Sequence, residues 1–330
     1  MGRLANHVEN NSALFKRHSG NPILTKAQWP YRVNSVFNAG AARLQDTGET
    51  VLLVRCEDLR GHSHLTTARS RDGVSGWVID PAPTFAPEVE RFPEEVWGVE
   101  DPRISWVPEL SAYVVVYVAY GHGGPGVSLA LTRDFKEFKR YGMVLPPEDK
   151  DAALLPRRFR GRWAMVHRPM QASGQAHIWI SFSPDLGHWG SHQILMEARR
   201  GAWWDAHRIG LAPQPIETDG GWLILYHGVR TTAAGCLYRL GAALLDLEDP
   251  TRVVLRSDEW VFGPEQEYER LGDVGDVVFP CGATVSDDGD TVNLYYGGAD
   301  TVLCLARGSL REILEWLRES GRPGGQASYI

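Results

Sequence analysis

The chain has 330 residues and carries 34 Lys and Arg against 41 Asp and Glu, so its formal net charge is −7 at pH 7. A net negative field repels a phosphate backbone, which argues against nucleic acid as a partner. Hydrophobic residues make up 43% and charged residues 23% of the chain, a composition that excludes disorder and predicts a full apolar core.

The apolar runs are too short for a membrane span, because the longest, at 113–120, falls well below the roughly 18 residues required. Residues 1–10 are polar and lack the apolar stretch of a signal peptide. We therefore expect a cytoplasmic protein without membrane partners. The cysteines lack C-x-x-C spacing, so we expect core residues rather than a zinc site or a disulfide framework at Cys56, Cys236, Cys281 and Cys304.

Short apolar runs rich in Val, Ile, Tyr, Trp and Leu follow one another and are separated by Gly, Pro and Asp turns, a pattern that predicts β-strands. We expect strands, in chain order, at residues 51–54, 113–120, 127–131, 163–167, 177–182, 222–227, 237–245, 291–296 and 301–306. Helices are predicted near the two ends, a short one at 11–17 and one at 309–319, where Gly321 and Pro323 act as stop signals.

A glycine-rich stretch, G-H-G-G-P-G at residues 121–126, formally matches a dinucleotide-binding loop. Such a loop has to open a helix, whereas Pro125 and the apolar residues after it continue as a strand. We therefore predict a hairpin turn at this point and expect no dinucleotide cofactor.

A strand-plus-turn pattern recurs along the chain, and each copy carries an Asp followed by an aromatic or apolar residue. The aligned aspartates, 62, 51 and 61 residues apart, are Asp72, Asp134, Asp185 and Asp246. This period suits one four-stranded sheet per copy, and a further unit near residues 301–307 brings the number to five, within the range of β-propellers. Chance similarity among the hairpins of a sandwich, or of several small β domains, is the alternative.

We therefore predict an all-β fold, a five-bladed β-propeller that forms a single domain over residues 1–330. It would carry an N-terminal extension at 1–20 and a terminal helix at 309–319. Because the inner strands of a propeller point at one axis, residues far apart in sequence meet in a central funnel. A functional site should then be distributed, with one or two polar residues from each blade.

Polar residues stand at several strand ends where a β-scaffold favours apolar ones. In the first group, E-D-P-R at 100–103, strand alternation should send Glu100 and Asp101 to opposite faces, so that only one faces the axis. The others are H-R-P at 167–169, Arg208, His227 and Tyr238-Arg239. Each alone also fits a structural role, as a hydrogen-bonded core histidine or as an arginine that pairs with carbonyls or carboxylates. Their occurrence at about one per blade favours an anion-binding site.

These residues give the sequence a resemblance to glycoside hydrolase family 130, the β-mannoside phosphorylases and their relatives, which are five-bladed propellers. Each motif alone is weak, but their order along nearly the whole chain is highly specific. The motifs are G-N-P-I-L (20–24), W-P-Y (29–31), N-S-V-F-N (34–38), G-V-E-D-P-R (98–103), K-D-A-A-L (150–154), H-R-P (167–169), Y-H-G (226–228), Y-R-L-G (238–241), V-F-P-C-G (278–282) and Y-Y-G-G-A-D (295–300).

The resemblance implies an inverting phosphorolysis in which Asp101 is the single catalytic carboxylate. Asp101 would protonate the leaving oxygen indirectly, through the 3-hydroxyl of the mannose, while inorganic phosphate attacks the anomeric carbon and gives α-mannose 1-phosphate. The resemblance implies phosphate contacts at Lys150, Arg168, Arg208, His227 and Tyr238, and mannose contacts at Asn38, Arg55 and Asp300. The partners are then a small β-mannoside and phosphate, with phosphate as a co-substrate and no cofactor or metal.

The residue types agree with this chemistry. An inverting hydrolase needs a second carboxylate to activate water, whereas phosphate is already an anion and needs cations that bind and orient it. Asp101 has to hold a proton near neutral pH, so we predict a raised pKa from burial under the bound sugar. Asp151 beside a phosphate would be repulsive unless it pairs with Lys150.

Two other functions stay open at the level of sequence. A β-mannoside hydrolase on the same fold would need a base, for which Asp151, Asp205 and Asp273 are the candidates, although retention of the cationic set argues against it. A non-enzymatic sugar-binding propeller would use some of the 12 Trp residues to stack on sugar faces.

The substrate linkage is also open. We favour β-1,4 over β-1,2, with glucose, N-acetylglucosamine or a manno-oligosaccharide as the acceptor. Loops such as 86–96 and 198–204 would decide this choice, and Trp203 and Trp204 fit either an acceptor platform or buried packing. Residues 6–18 and the terminal helix are candidate interface segments of a homo-oligomer.

Overall fold

The computed structural model of the protein describes residues 14–171, 174–233 and 235–324. These residues are mostly β-strand, and the strands form antiparallel units of mostly four strands each. A short strand, β1 (Lys16–Arg17), precedes the first unit, and a 3₁₀ turn at Lys26–Gln28 lies between them.

The first two units are joined along one edge. The first unit contains β2 (Ser35–Arg43), β3 (Thr50–Glu57), β4 (Ser63–Ser70) and β5 (Val78–Ile79). The second unit contains β6 (Gly98–Val107), β7 (Ala112–Gly121), β8 (Gly124–Thr132) and β9 (Lys139–Leu145), with 3₁₀ turns at Pro93–Glu95 and Pro108–Leu110. A parallel pair between Ser63 and Gly98 links the units, while the strands within each unit pair antiparallel.

The third and fourth units follow in the same manner. The third contains β10 (Asp149–Phe159), β11 (Arg162–Pro169), β12 (Ile178–Ser183) and β13 (Gly190–Met196). The fourth contains β14 (Arg208–Leu211), β15 (Ile216–Thr218), β16 (Gly221–Thr232), β17 (Gly235–Leu245) and β18 (Val253–Arg256). In the third unit, successive strands pair antiparallel. In the fourth, β14 and β15 both pair with β16, and β16, β17 and β18 pair in sequence, all antiparallel.

The fifth unit combines segments far apart in the chain. After helix α1 (Glu267–Arg270) it contains β19 (Val278–Val285), β20 (Thr291–Gly298) and β21 (Val302–Ser309). β1 pairs with β21, with Lys16 opposite Arg307 and Arg17 opposite Ala306, so it supplies the fourth strand of this unit. Helix α2 (Leu310–Ser320) follows β21, and β22 (Arg322–Pro323) extends the fourth unit by pairing with β18.

The strands predicted from the sequence are confirmed, since each overlaps one of β3, β7, β8, β11, β12, β16, β17, β20 and β21. The predicted terminal helix is α2, which Ser309 caps by accepting a hydrogen bond from the Glu312 amide. The helix predicted at 11–17 is wrong where the structure describes it, because Lys16 and Arg17 pair as β1; residues 11–13 lie outside the described residues. The glycine-rich stretch at 121–126 contains the β7–β8 hairpin turn, as predicted.

The repeated aspartates follow the third strand of each of the first three units and β17 of the fourth, and they act in the same way at each place. Each carboxylate accepts hydrogen bonds of 2.8–3.1 Å from the backbone amides two and three positions further on, which closes a tight turn. The repeat in the sequence is therefore a turn signature rather than a part of a functional site. At the equivalent point of the fifth unit the chain has Ser309, where α2 begins.

The core consists of apolar layers between neighbouring units. Five clusters of buried side chains join the first unit to the second, the second to the third, the third to the fourth, the fourth to the fifth, and the fifth to the first. In the last of these, Leu52 and Val54 of β3 belong to the same cluster as Leu303 and Leu305 of β21. Each unit therefore buries both faces, which explains strands that are apolar at successive positions.

The cysteines are free thiols, of which Cys56, Cys281 and Cys304 are buried, as expected of core residues, and Cys236 is half-buried. No helix in the described part of the chain is long and apolar enough to span a bilayer.

Candidate active site

Backbone distortions at the same point of three units turn polar residues out of the regular strand pattern. Asn38 on β2, Asp101 on β6 and Asp151 on β10 each have a left-handed φ, of 45°, 47° and 53°. At each of them the pairing with the next strand shifts register, as in a β-bulge. Bulges re-aim side chains, and Asn and Asp tolerate left-handed backbone better than most residues. The same local device thus supplies one polar side chain from each of the first three units.

The Asp101 carboxylate is the centre of the first group of contacts. It is 3% exposed, and its Oδ1 accepts hydrogen bonds from Asn38 Nδ2 and Arg55 Nη1, both at 3.0 Å. Arg55 also donates to Ser63 Oγ at 2.9 Å and to Glu100 Oε1 at 3.0 Å. The structure therefore brings together Asp101 and two of the residues expected to hold the mannose.

Glu100 and Asp101 do not separate to opposite faces, and that prediction is wrong. Both carboxylates contact the same guanidinium group, that of Arg55. The cause is the register shift between Glu100 and Arg103, which interrupts the alternation of side chains along β6.

The pKa of Asp101 is lowered in the free protein. Burial alone would raise this pKa, but the charges of Arg55, Lys150 and Arg103 and the hydrogen bond from Asn38 outweigh the burial. The raised pKa that we predicted under a bound sugar is therefore not found in the free protein. Binding of the sugar would have to reverse the balance between burial and the surrounding cations.

Asp300, expected to bind mannose, lies beside this group. Burial raises the pKa of Asp300 to about 6. The positive charge of Arg55 opposes this shift, and the negative charge of Asp101 adds to it. Asp300 follows β20 of the fifth unit. The close approach of β20 to β2 of the first unit depends on Gly297, because a Cβ atom there would collide with Asn38 Oδ1. In the free protein Asp300, rather than Asp101, therefore holds a proton at mildly acidic pH.

Asp151 is the centre of a second group of contacts. Its side chain is fully buried, and Oδ2 accepts a hydrogen bond from Arg168 Nε at 2.7 Å. Arg103 Nη2 lies 3.3 Å from Oδ1, and His227 Nε2 lies 3.4 Å from Oδ2. Burial alone would raise the pKa of Asp151, but the charges of Arg168 and Arg103 hold it well below its ordinary value.

Asp151 therefore pairs with two arginines rather than with Lys150. Lys150 lies opposite Arg168 in the ladder between β10 and β11, and the register shift that follows it turns Asp151 toward the arginines instead. Among the described residues, Lys150 has no carboxylate within the 4.0 Å of an ion pair. Its ammonium group is thus left for other partners.

Arg103 joins the two groups, a role that we did not predict. Its side chain is 1% exposed and donates to the carbonyl oxygens of Asp101, Leu211 and Ala212 at 2.7–3.0 Å, as well as to Asp151. Because one guanidinium contacts the backbone at Asp101 and the carboxylate of Asp151, the two groups form a single site. Arg103 was visible in the sequence as part of E-D-P-R, but nothing in the local pattern indicated its distant partners.

Of the remaining residues expected to bind phosphate, His227 lies beside Asp151, and Tyr238 and Arg208 are linked to it in turn. The His227 ring contacts Phe279 and Tyr238, with centroid distances of 4.8 and 6.1 Å. Arg208 Nη2 donates to the Tyr238 hydroxyl at 3.3 Å. Burial lowers the pKa of His227 to about 3, so the ring is neutral at physiological pH. Two arginines, a lysine, a neutral histidine and a tyrosine thus surround one region, which suits a multiply charged oxyanion.

The other carboxylates considered as a base lie elsewhere. Asp205 is buried and held by Arg199 and Arg256 at 3.0 and 2.7 Å. Asp273 accepts from Asn34 Nδ2 at 2.9 Å and is exposed. In the part of the chain that the structure describes, neither contacts Asp101 or the residues bound to it.

The two tryptophans of loop 198–204 differ. Trp204 is buried, stacks on Tyr226 with a centroid distance of 5.6 Å, and donates to the Asp258 carbonyl, so it is a packing residue. Trp203 is 38% exposed and lines a groove of about 660 Å³ together with Trp260. Although it is packed, Trp204 also lines this groove, and Trp203 is the more exposed of the two. No group of three His, Cys, Asp or Glu among the described residues could hold a metal ion.

The comparisons with known proteins agree with this geometry. The family model of glycoside hydrolase family 130, described as beta-1,4-mannooligosaccharide phosphorylase, matches residues 9–319. The chain therefore belongs to glycoside hydrolase family 130, the β-mannoside phosphorylase family. The family and the enzyme class that the sequence predicted are confirmed.

The relatives differ in the linkage that their names give. A 1,2-beta-oligomannan phosphorylase of Thermoanaerobacter sp. is 36% identical over 90% of this chain and 98% of its own length. A beta-1,4-mannooligosaccharide phosphorylase of Ruminococcus albus is 33% identical over 92% of this chain and 90% of its own. Among solved structures, a beta-1,2-mannobiose phosphorylase of Listeria innocua in complex with beta-1,2-mannobiose has a TM-score of 0.82 and 31% identity, over 92% of this chain and 99% of that one.

Proposed function

We propose that the protein cleaves β-mannosides by inverting phosphorolysis. An oxygen of inorganic phosphate attacks the anomeric carbon of the mannose, and the glycosidic bond to the acceptor breaks. The leaving oxygen receives a proton that originates on Asp101 and passes through the 3-hydroxyl of the mannose. The products are α-mannose 1-phosphate and the free acceptor sugar.

The state of Asp151 is the observation that carries this proposal. A hydrolase needs a carboxylate that can take a proton from water. Asp151, the candidate base beside the phosphate-binding residues, is fully buried and held by Arg168 and Arg103, which lower its proton affinity. Asp151 therefore orients the two arginines rather than a water molecule. A phosphate nucleophile requires such cations, because they bind and orient its negative charge.

Asp101 has to acquire a proton in the complex with the sugar. Asn38, Arg55 and Asp300 would hold the mannose over Asp101 and exclude water, which strengthens the effect of burial on its pKa. Titration of Asp101 in the sugar complex tests this step. An Asp101 carboxyl that stays ionised well below its ordinary pKa in that complex would end the acid role.

We also infer that the five units close into a five-bladed propeller. The support is the apolar layer between the fifth unit and the first, together with the pairing of β1 with β21. Gln214 Nε2 also donates to the Ala283 carbonyl of β19 at 2.6 Å, across the boundary between the fourth and fifth units. A closed ring would bring the inner strands of all units to one axis, where the site lies.

For the linkage we rely on similarity. The relative that is 36% identical over nearly its whole length, and the structure with a TM-score of 0.82, act on or bind β-1,2-linked mannosides by name. We therefore propose β-1,2-linked manno-oligosaccharides as the first candidate. The β-1,4 linkage that we favoured from the sequence is the second candidate, supported by the description of the family model and by the relative at 33% identity.

The test is incubation with β-1,2- and β-1,4-mannobiose, each with and without phosphate, and detection of the products by ³¹P NMR. Phosphorolysis predicts α-mannose 1-phosphate only when phosphate is present, and the better substrate identifies the linkage. Free mannose released without phosphate would refute the proposal in favour of hydrolysis. An Asp101→Asn variant should lose about 10²–10⁴-fold in kcat, while Asp185→Asn, a change in a turn, serves as the matched control with unchanged kcat.

A further inference from the structure

The groove of about 660 Å³ beside the fourth unit lies outside the candidate active site. Its walls include the indole rings of Trp203 and Trp260, which are 38% and 42% exposed. This volume is in the range of sites for small molecules, and an indole ring offers a large apolar surface on which a sugar ring packs. The groove is open to solvent, so a small ligand reaches it without any movement of the protein.

Two arginine side chains enter this groove from neighbouring strands. Arg239 on β17 lies opposite Gly228 of β16, and Arg230 lies two positions further along β16 on the same face. Such diagonal neighbours are about 7–8 Å apart, within reach of long side chains. A Cβ atom at Gly228 would collide with the ring of Trp204, which also lines the groove, so this is the face that borders it. One small anion can therefore contact both guanidinium groups.

The charge of these two arginines is not balanced by a carboxylate. In the part of the chain that the structure describes, neither Arg230 nor Arg239 has an ion pair or a hydrogen-bond partner for its guanidinium group. Arg239 is instead held over the Trp260 ring, 4.0 Å from the ring centroid. Burial, together with the positive charge of Arg230, lowers the pKa of Arg239. The pair thus presents unused N–H donors and positive charge to the groove.

The other charged groups that line the groove are paired or cancel. Asp258 accepts a hydrogen bond from Arg199 Nη2 at 2.9 Å and also pairs with Arg322. Arg200 and Glu259 contribute one charge of each sign. The field in the groove is therefore determined by the arginine pair, and it attracts anions.

We propose that this groove is a second binding site, whose ligand is the phosphate monoester of a sugar. The phosphate group binds Arg230 and Arg239, because guanidinium groups hold phosphate oxygens through paired hydrogen bonds. The sugar ring packs on the exposed parts of Trp203 and Trp260. The choice of ligand rests on the proposed function, since its product, α-mannose 1-phosphate, contains both parts.

The groove and the active site occupy opposite faces of the same two strands. Tyr238 and Arg239 are successive residues of β17, so their side chains point to opposite faces. Tyr238 contacts the His227 ring on the active-site face, with a centroid distance of 6.1 Å. A substitution of Arg239 therefore leaves the residues expected to bind the phosphate nucleophile in place.

The experiment counts the equivalents of α-mannose 1-phosphate that each chain binds. Equilibrium dialysis is carried to about 10 mM ligand, tenfold above a millimolar Kd. The wild type should bind two equivalents, one in the active site and one in the groove. The double variant Arg230→Gln/Arg239→Gln should bind one equivalent fewer, because glutamine has no charge. The matched control, Arg133→Gln, changes an exposed arginine that lines another groove and should bind as many as the wild type.

Three further ligands test the chemical class. Mannose should show no difference between the wild type and the double variant, because it offers nothing to the arginines. Inorganic phosphate should bind the groove at least about tenfold more weakly than the sugar phosphate, because it lacks the ring that packs on the tryptophans. Adenosine monophosphate that binds the groove about tenfold more tightly than α-mannose 1-phosphate would overturn the assignment to sugars.

Equal numbers of bound equivalents in the wild type and in a double variant with an unchanged circular dichroism spectrum would refute the second site. If turnover stays phosphate-dependent in that case, the proposed function stands. Phosphate-independent release of mannose would instead refute the function. The equivalent that disappears with the two arginines reports on the groove alone, so the two failures are distinguishable.

Discussion

Replacement of Asp300 by Asn should stabilise the free protein, and by an amount that depends on pH. The pKa of this carboxyl is raised from 3.8 to about 6 by burial and by the charge of Asp101. A raised pKa means that the folded state prefers the protonated form. The contribution of Asp300 to stability is therefore complete below pH 3.8 and is lost as the pH rises through 6.

The magnitude follows from the shift. At 1.36 kcal/mol per pH unit, the interval from 3.8 to about 6 corresponds to about 3 kcal/mol. Asn has nearly the shape of a protonated Asp and no charge to bury. The Asp300→Asn variant should thus match the wild type in its free energy of unfolding near pH 4 and exceed it by up to about 3 kcal/mol at pH 8.

Urea denaturation at pH 4, 6 and 8, without sugar or phosphate, measures this difference. Asp101→Asn is the matched control with the opposite sign, because the pKa of Asp101 is lowered and its ionised form stabilises the fold. That variant should lose a similar amount of stability at pH 4, 6 and 8, because the contribution of Asp101 is lost only below its ordinary pKa of 3.8. A gain for Asp300→Asn that does not change between pH 4 and pH 8, or no gain at either, would refute the electrostatic reasoning.

Two further changes test the framework of the site. Asp151→Asn should lower the free energy of unfolding at pH 7 by about 3–5 kcal/mol, because it leaves two buried guanidinium groups without their carboxylate; an unchanged urea midpoint would contradict this. Gly282→Ala should cost roughly 1–3 kcal/mol, since a Cβ there would come within 2.6 Å of the Ala39 carbonyl oxygen. The control is Gly190→Ala, because a Cβ atom there meets nothing within 4 Å. Equal melting temperatures for the two variants would disprove close packing of β19 on β2.

The sequence was sufficient for those features that depend on local pattern. Apolar runs identified the strands, and the spacing of Leu310, Ile313, Leu314 and Leu317 identified α2, whose inner face is buried as that spacing requires. The repeat of aspartates was real, although its cause is a turn that the carboxylate closes. The resemblance to the family supplied the candidate site residues, and the structure brings Asn38, Arg55 and Asp101 into contact.

The errors have a common physical origin in register. Alternation along β6 predicted that Glu100 and Asp101 lie on opposite faces, and adjacency in the chain made Lys150 the partner considered for Asp151. A β-bulge changes both results, because one inserted residue redirects every side chain near it. Bulges are determined by the pairing with another strand, and such long-range pairing leaves little trace in the local sequence. The linking role of Arg103 was missed for the same reason, since its partners Leu211 and Ala212 lie more than a hundred positions away.

The union of β1 with β21 has a consequence for how the molecule is made. β1, at residues 16–17, can pair only after residues 302–309 have left the ribosome, so this pairing forms late in synthesis. Until then the nascent chain exposes the unpaired edge of β1 and the face of the first unit that packs on β21. A chaperone that protects those surfaces, or a protease that attacks them, would act during this period of synthesis. Loss of residues 14–17 would leave the edge of β21 unpaired in the finished protein.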